Sequence, residues 1–452
     1  MNALICGVGE YVTGYTPSGQ SKSDKSLGVV GLVHFDLRER KLIGEKIGLC
    51  GTNGDKFEQI REHFAKNIKF DNVKNLSFEQ FPKKGVARDP QAYREAVEAF
   101  QPGDICSVFT PDDTHFEICK AALQRGLHVM CTKPMVKTLE EHLELVALAE
   151  AKNLLLQIEV HKRFDPMYND ARMRIHSGDL GRFNFFTSYM SQPKFQLETF
   201  RSWAGLSSDI SYYLNSHHVD LHVWMMQGRA RCVSVRALAS TGVAEELLGR
   251  PCEDTITLMA EWENINVEDV AAASSATTPQ ESESAAAPSP KTFGHATYTA
   301  SWTAAKSDVH SQQRFFCLME KGEITTDQCH RGYTFAGEQT NGLQSLNPLY
   351  IRNVPDSRNC YCGQSGYGYV SFQKFVEAAK EINEGKRTAK DCDCDLPTGK
   401  TTLMVTAILE AGKRSLENDN CTVRLLYENG DMVSGLKVEK PVVSFSPKAR
   451  GT

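Results

Sequence analysis

The chain has 452 residues, more than one small core accommodates, and suits two domains that each bury an apolar interior. Its 51 basic and 56 acidic side chains leave a net charge of −5 with no basic arm or clustered patch, which excludes the kind of surface nucleic acid demands. No apolar run approaches membrane-spanning length and the first apolar strand begins at Ala3, so the expectation is a cytoplasmic protein without leader, membrane or nucleic-acid partner.

Residues 3–9 read as a buried strand running into glycines, and residues 46–51 as a second strand. Asp89-Pro90 supplies an N-cap and a first-turn proline for a helix whose apolar face is Tyr93, Ala96, Val97 and Phe100, stopped by Pro102-Gly103. A strand over 105–109 follows, then a helix with Phe116, Cys119 and Leu123 inward and Gly126 as its stop, then a strand over 128–131. Thr138 and Glu141 form a capping box for a further helix leading to a strand over 154–160. Strands alternating with helices of this length build a Rossmann-type, doubly wound parallel sheet, which we place in residues 1–150. Ligands bind such sheets at the carboxyl ends of the strands, where Thr110-Pro111 and Lys133 fall.

From about residue 183 the pattern changes to long alternating strands over 183–191, 231–238, 254–263, 296–303 and 314–326. They predict an α+β domain with a large, open, mostly antiparallel sheet across residues 151–440, so the fold class is α/β with an α+β second domain. An Ala/Ser/Thr/Pro/Glu stretch at 267–290 is too poor in large apolar residues to fold and reads as a disordered insertion. The segment 338–368 carries Tyr350, Tyr361 and Tyr367 and suits either a pocket cover or a subunit contact. An open sheet needs cover, which makes a homo-oligomer the expectation. The fourteen cysteines are scattered and read as reduced thiols; Cys360-Tyr361-Cys362 and Cys392-Asp393-Cys394 lack the spacing that grips zinc, so no metal is expected.

A strand ending in Gly7-Val8-Gly9 lets backbone approach a pyrophosphate, with Glu10 and Tyr11 opening the turn beyond, although an ordinary tight turn has the same appearance. The third glycine position holds Val12, and a Ser/Lys-containing loop over 13–27 postpones the helix to about 28–40. An acidic side chain at the end of the second strand would bind a ribose 2′-hydroxyl and repel a 2′-phosphate. Thr52 and Asn53 are neutral there and Lys56 is near, so NADP is preferred over NAD.

Gly7-Val8-Gly9, Thr110-Pro111 with Thr114-His115, Thr132-Lys133-Pro134, His161-Lys162-Arg163-Phe164-Asp165-Pro166 and Asn215-Ser216-His217-His218-Val219-Asp220 follow in order. As a set they resemble the Gfo/Idh/MocA family of NAD(P)-dependent sugar and inositol oxidoreductases over nearly the whole chain outside the insertions. The resemblance implies that Thr110, Pro111, His115, Thr132 and Lys133 join the glycine turn in holding the cofactor. It implies that Lys133 matches the lysine of the family's E-K-P motif, with Thr132 replacing the glutamate, and polarises the reacting carbonyl. His217 matches the acid/base histidine, and Asp220, three residues on, is placed to influence its ring. The position four before the histidine, often aspartate, is Tyr213, whose phenol competes for the acid role.

Lys162, Arg163 and Arg201 are candidates for gripping an anionic substrate or for domain-interface ion pairs; Trp203 suits stacking on a sugar or filling core, and Asn215 completes the substrate set. These implications converge on reduction of a small sugar or uronic acid, D-galacturonate to L-galactonate. The rivals are an NAD-dependent inositol or aldose dehydrogenase and a non-catalytic sensor of the cofactor.

Overall fold

A computed structural model describes residues 1–16, 19–21, 25–265, 290–338, 342–345, 356–361, 368–428 and 432–439. The expected insertion at 267–290, apart from Pro290, lies outside the described residues, as do Tyr350, Cys362 and Tyr367.

The short apolar runs of the first third assemble into six parallel strands in the order Glu79–Phe81, Ile47–Cys50, Ala3–Cys6, Ile105–Val108, His128–Thr132 and Leu156–Glu159. Every residue of Ala3–Cys6, Ile47–Cys50 and Ile105–Val108 is buried, as a parallel sheet covered on both faces requires. The chain starts in the middle of this sheet, so the loops leaving Ala3–Cys6 and Ile105–Val108 diverge and open a crevice at their carboxyl ends. The Thr138 hydroxyl accepts the Glu141 N–H, as the capping box predicts, and Gly126 ends its helix in the left-handed conformation at φ 92°. Glu79–Phe81, only three residues long, was too short to show a period.

The expected division at residue 150 does not separate the two sheets. The sixth parallel strand, Leu156–Glu159, lies beyond it. The helix Val370–Asn383 also returns to this half, where Phe372, Phe375 and Val376 share a core with Phe35 and Met130. Burial of its apolar face in the core of the first sheet overrides chain order.

The second sheet has eight strands in the order Gly322–Asp327, Gln312–Met319, Phe183–Pro193, Phe293–Ala304, Glu253–Asn264, Ala230–Thr241, Thr422–Glu428 and Met432–Glu439. All neighbours are antiparallel except Phe293–Ala304 and Phe183–Pro193. The single strand expected over 314–326 is a hairpin, because Glu320 and Lys321 turn the chain between Gln312–Met319 and Gly322–Asp327. The closing strands Thr422–Glu428 and Met432–Glu439 were not anticipated, although Val423 and Leu425 point inward beside an exposed Arg424. The helices Ser216–Met226 and Leu403–Glu417 cover the inner face. Among the described residues no helix is long and apolar enough to cross a membrane, and the described cysteines form no disulfide.

Candidate active site

A large cleft follows the carboxyl ends of the parallel strands and runs on to the rim of the second sheet. Its cofactor-like wall is mostly backbone. Gly7 sits at φ 115°, and a Cβ there would stand 2.1 Å from the Phe109 carbonyl oxygen, so only glycine lets the two diverging loops pass. A Cβ on Gly9 would meet nothing within 4 Å, leaving the backbone open to the cleft where a pyrophosphate needs close approach. Glu10 and Tyr11 follow on the short helix Glu10–Thr13; the Glu10 carboxylate accepts the Ser21 hydroxyl, and the Tyr11 ring lies 5.7 Å from that of Phe109. Thr52, Thr110, Pro111, Thr132 and Lys133 line the same cleft. The bare glycine backbone beside the Thr52, Thr110 and Thr132 hydroxyls fits a dinucleotide.

Three expected cofactor residues do not line it. The Asn53 side chain accepts the Asp55 N–H and shapes its own turn, and Lys56 is exposed at the start of the helix Lys56–Asn67. His115 is fully buried behind the wall, its Nε2 2.7 Å from the Thr110 carbonyl and its Nδ1 2.9 Å from that of Pro134. It ties together the two strand-end loops that carry Thr110 and Lys133.

Across the cleft, the structure brings Lys133, Tyr213 and His217 together. Lys133 leaves the strand His128–Thr132, donates to the Tyr213 carbonyl and stands 4.5 Å over the centre of the Tyr213 ring. Burial lowers its ammonium to about 8, opposed by the negative charges of Asp112 and Glu159. The Tyr213 hydroxyl accepts from the Gln192 amide at 3.3 Å, and burial pushes the phenol up. His217, at the start of Ser216–Met226, has a buried Nδ1 without a hydrogen-bond partner among the described residues. Burial first, then Lys133, Lys162 and His161, hold its ring well below the ordinary histidine range, so it is neutral.

Asp220 does not serve His217. Its carboxylate takes Arg163 in a buried two-point pair at 2.9 and 2.6 Å. Arg163 thereby loses its expected substrate role: the ion pair occupies its guanidinium, which lies against the Trp224 ring and does not line the cleft. Arg201 reaches the cleft rim, but it pairs with Glu198 at 2.7 Å and donates to the Leu247 and Leu248 carbonyls. Asn215 is buried, donating to Ser211 and the Ile256 carbonyl, away from the cleft.

Lys162 is the expected cation that does face the cleft, held by the side-chain oxygens of Gln313 and Gln328; burial lowers it to about 7. Trp203 forms an aromatic wall with Phe200 and Tyr213, ring centres 4.9 and 5.1 Å away.

Residue-by-residue reading of the sequence missed Glu159, Gln192, Gln313 and Gln328, and passed over His161 although it stands in the His161–Pro166 motif. Glu159 ends the sixth parallel strand, the same placement that singled out Lys133, so strand-end position was the signal available. The glutamines come from the second sheet, and no local pattern connects them to the site.

Residues 1–160 match the profile of GFO_IDH_MocA, described as an oxidoreductase family with an NAD-binding Rossmann fold. An uncharacterized oxidoreductase of Schizosaccharomyces pombe is 36% identical over 120 residues, 26% of this chain and 32% of that protein. The scyllo-inositol 2-dehydrogenase (NADP(+)) IolW of Bacillus subtilis is 30% identical over 147 residues, covering 31% of this chain and 40% of that enzyme. The first of these matches thus spans about a third of the relative's length. Over nearly the full chain the fold is similar to two solved structures. GenD2 from gentamicin A biosynthesis in complex with NAD has a TM-score of 0.60 at 15% identity, covering 94% of this chain and 97% of that one. The Lactobacillus casei scyllo-inositol dehydrogenase with bound NAD(H) and scyllo-inositol has a TM-score of 0.58 at 16% identity, covering 94% and 98%.

Proposed function

We propose that this chain, whose residues 1–160 match an NAD-binding Rossmann oxidoreductase profile, is an NADPH-preferring reductase of the carbonyl of a sugar acid, with D-galacturonate to L-galactonate as the specific reaction. The observation that carries the reading is the meeting of Lys133, Tyr213 and His217 beside the Gly7-Gly9 wall in one cleft. NADPH is preferred because Thr52, at the end of the second strand, offers no carboxylate to repel a 2′-phosphate. Gly7, Gly9, Thr110 and Thr132 would hold the cofactor, which supplies the hydride when bound. Lys133 orients the carbonyl oxygen and stabilises the alkoxide as charge develops on it. Gln192 fixes the Tyr213 hydroxyl at the same wall, and the neutral His217 passes a proton between its two nitrogens.

Lys162 supports the choice of an acid substrate. It lines the cleft as an amine, and a carboxylate arriving there would accept a charge-assisted hydrogen bond from its ammonium. Because burial holds Lys162 at about 7, a uronate should bind with a KM that climbs as pH rises past 7, while a neutral polyol shows no such rise.

The test is NADPH consumption by the purified protein with D-galacturonate, beside D-galactose and myo-inositol with NAD. Rapid oxidation with the uronate alone supports the reading. Turnover of inositol with NAD instead moves the assignment to a dehydrogenase, a second reading favoured by the inositol dehydrogenases among the similar proteins. Silence with every pair moves it to a cofactor sensor. We also propose a homo-oligomer, since Tyr189, Leu238 and Leu426 are exposed on the second sheet; sedimentation at a monomer mass would refute it.

A further inference from the structure

Glu159 is 2% exposed and holds both oxygens in defined bonds: Oε2 lies 3.1 Å from His161 Nδ1 and Oε1 accepts the Ser371 hydroxyl at 3.1 Å. Ser371 comes from Val370–Asn383, the helix that returns across the chain to the first sheet, so a neighbour two residues on and a distant segment both fix this carboxylate. A carboxylate on Nδ1 fixes the ring's tautomer and orientation, the arrangement a proton carrier needs. The His161 ring centre is 5.5 Å from that of His217, and both residues line the cleft with Lys133. Two imidazoles joined by a hydrogen bond of about 2.9 Å have centres roughly 5 Å apart, so a small rotation or one water connects these rings.

His217 cannot be the final proton source in a reduction, because a neutral imidazole gives up one N–H only while taking a proton at its other nitrogen. We propose that His161, held by Glu159, supplies that proton and that Glu159, His161 and His217 form a relay which protonates the substrate oxygen. The inference rests on the reductase reading above.

The step balances as follows. Hydride with its electron pair passes from reduced nicotinamide to the carbonyl carbon, and the C=O π bond breaks to leave an alkoxide. The alkoxide takes the N–H proton of His217. His217 takes at its second nitrogen the proton released by the His161 imidazolium. Both rings end neutral, and solvent reprotonates His161. Glu159 is the carboxylate partner of His161, and Lys133, Lys162 and His217 line the same cleft. Glu159 is a positioning residue in this scheme, since it acts through His161.

The experiment uses the full chain with NADPH and the substrate that the wild type turns over, comparing Glu159→Gln, His161→Asn and His161→Ala. The glutamine is isosteric and keeps an acceptor for Nδ1, so this variant reads the charge even where a histidine variant folds poorly. The expected result is kcat reduced about 10-fold in Glu159→Gln and about 100-fold in His161→Asn, with NADPH affinity and KM within twofold of wild type. Added imidazole should restore part of the turnover of His161→Ala. Wild-type kcat in both Glu159→Gln and His161→Asn, no gain from imidazole in His161→Ala, or a loss confined to NADPH affinity overturns the relay and leaves the reductase reading standing. A wild type that binds NADPH and reduces no carbonyl overturns both.

Discussion

The two walls of the cleft are built from different materials. The cofactor wall is backbone and small side chains at the ends of consecutive parallel strands, and its shape comes from what is missing at Gly7 and Gly9. The wall proposed for the substrate is made of polar side chains from Lys133, the turn His161–Phe164, the π-helical turn Ser211–Asn215 and the rim of the second sheet. A wall of the first kind is specified by short sequence and tolerates varied neighbours. The second kind depends on partners far apart in sequence, and each charge in it needs a countercharge or a set of oxygens. Alterations should therefore separate cleanly: fold and chemistry on one side, cofactor affinity alone on the other.

The largest expected effect is on the support of the substrate wall. Asp220 and Arg163 neutralise each other out of water at 4% exposure or less for each side chain, and removing one leaves the other buried and unpaired. Asp220→Ala should cost about 3–5 kcal/mol of unfolding free energy, measured by urea denaturation. If Asp220 instead served the His217 ring, the variant would keep wild-type stability and lose turnover.

Next in size is the chemistry. Lys133→Met should lower kcat about 10²- to 10³-fold, with NADPH affinity by fluorescence titration unchanged, because the ammonium acts on the developing alkoxide and the backbone wall is untouched. Loss of cofactor binding together with turnover would make Lys133 part of the cofactor wall. The wild-type pH profile gives an independent reading. Reduction needs the ammonium, and burial holds Lys133 at about 8, so kcat for reduction should fall by at least tenfold per unit above that pH.

The same difference decides what could be read in the sequence. The glycine turn, the strand ends at Thr110 and Lys133, the capping box at Thr138 and the alternating strands of the second sheet are local patterns with fixed periods, and they emerge where the residues place them. His217 and Tyr213 came from order along the chain and also meet Lys133 in the cleft. The failures share a physical cause. Arg163, Arg201 and Asn215 have the right chemistry for a substrate, but their partners, Asp220, Glu198 with two carbonyls, and Ser211, are settled only once the chain is folded. His115 carries an apt motif position, yet both ring nitrogens face backbone carbonyls. Gln313 and Gln328 were invisible for the converse reason, since nothing around them in sequence marks what they will face.

The smallest expected effect is the sharpest test of the backbone wall. Gly9 has φ −78°, a conformation alanine adopts freely, and its added methyl meets no protein atom within 4 Å. Gly9→Ala should therefore leave the thermal midpoint within a degree or two of wild type, in contrast to Gly7, where positive φ and the Phe109 carbonyl both oppose a side chain. The methyl would occupy the space that a pyrophosphate needs against the backbone, so NADPH affinity should weaken about tenfold, or ~1.4 kcal/mol. The kcat at saturating NADPH should hold, since Lys133 and His217 stand on the other wall. An unchanged NADPH affinity in a well-folded Gly9→Ala variant would mean that the dinucleotide approaches this cleft elsewhere, and the division between a backbone wall for cofactor and a side-chain wall for substrate would fail at its simplest point.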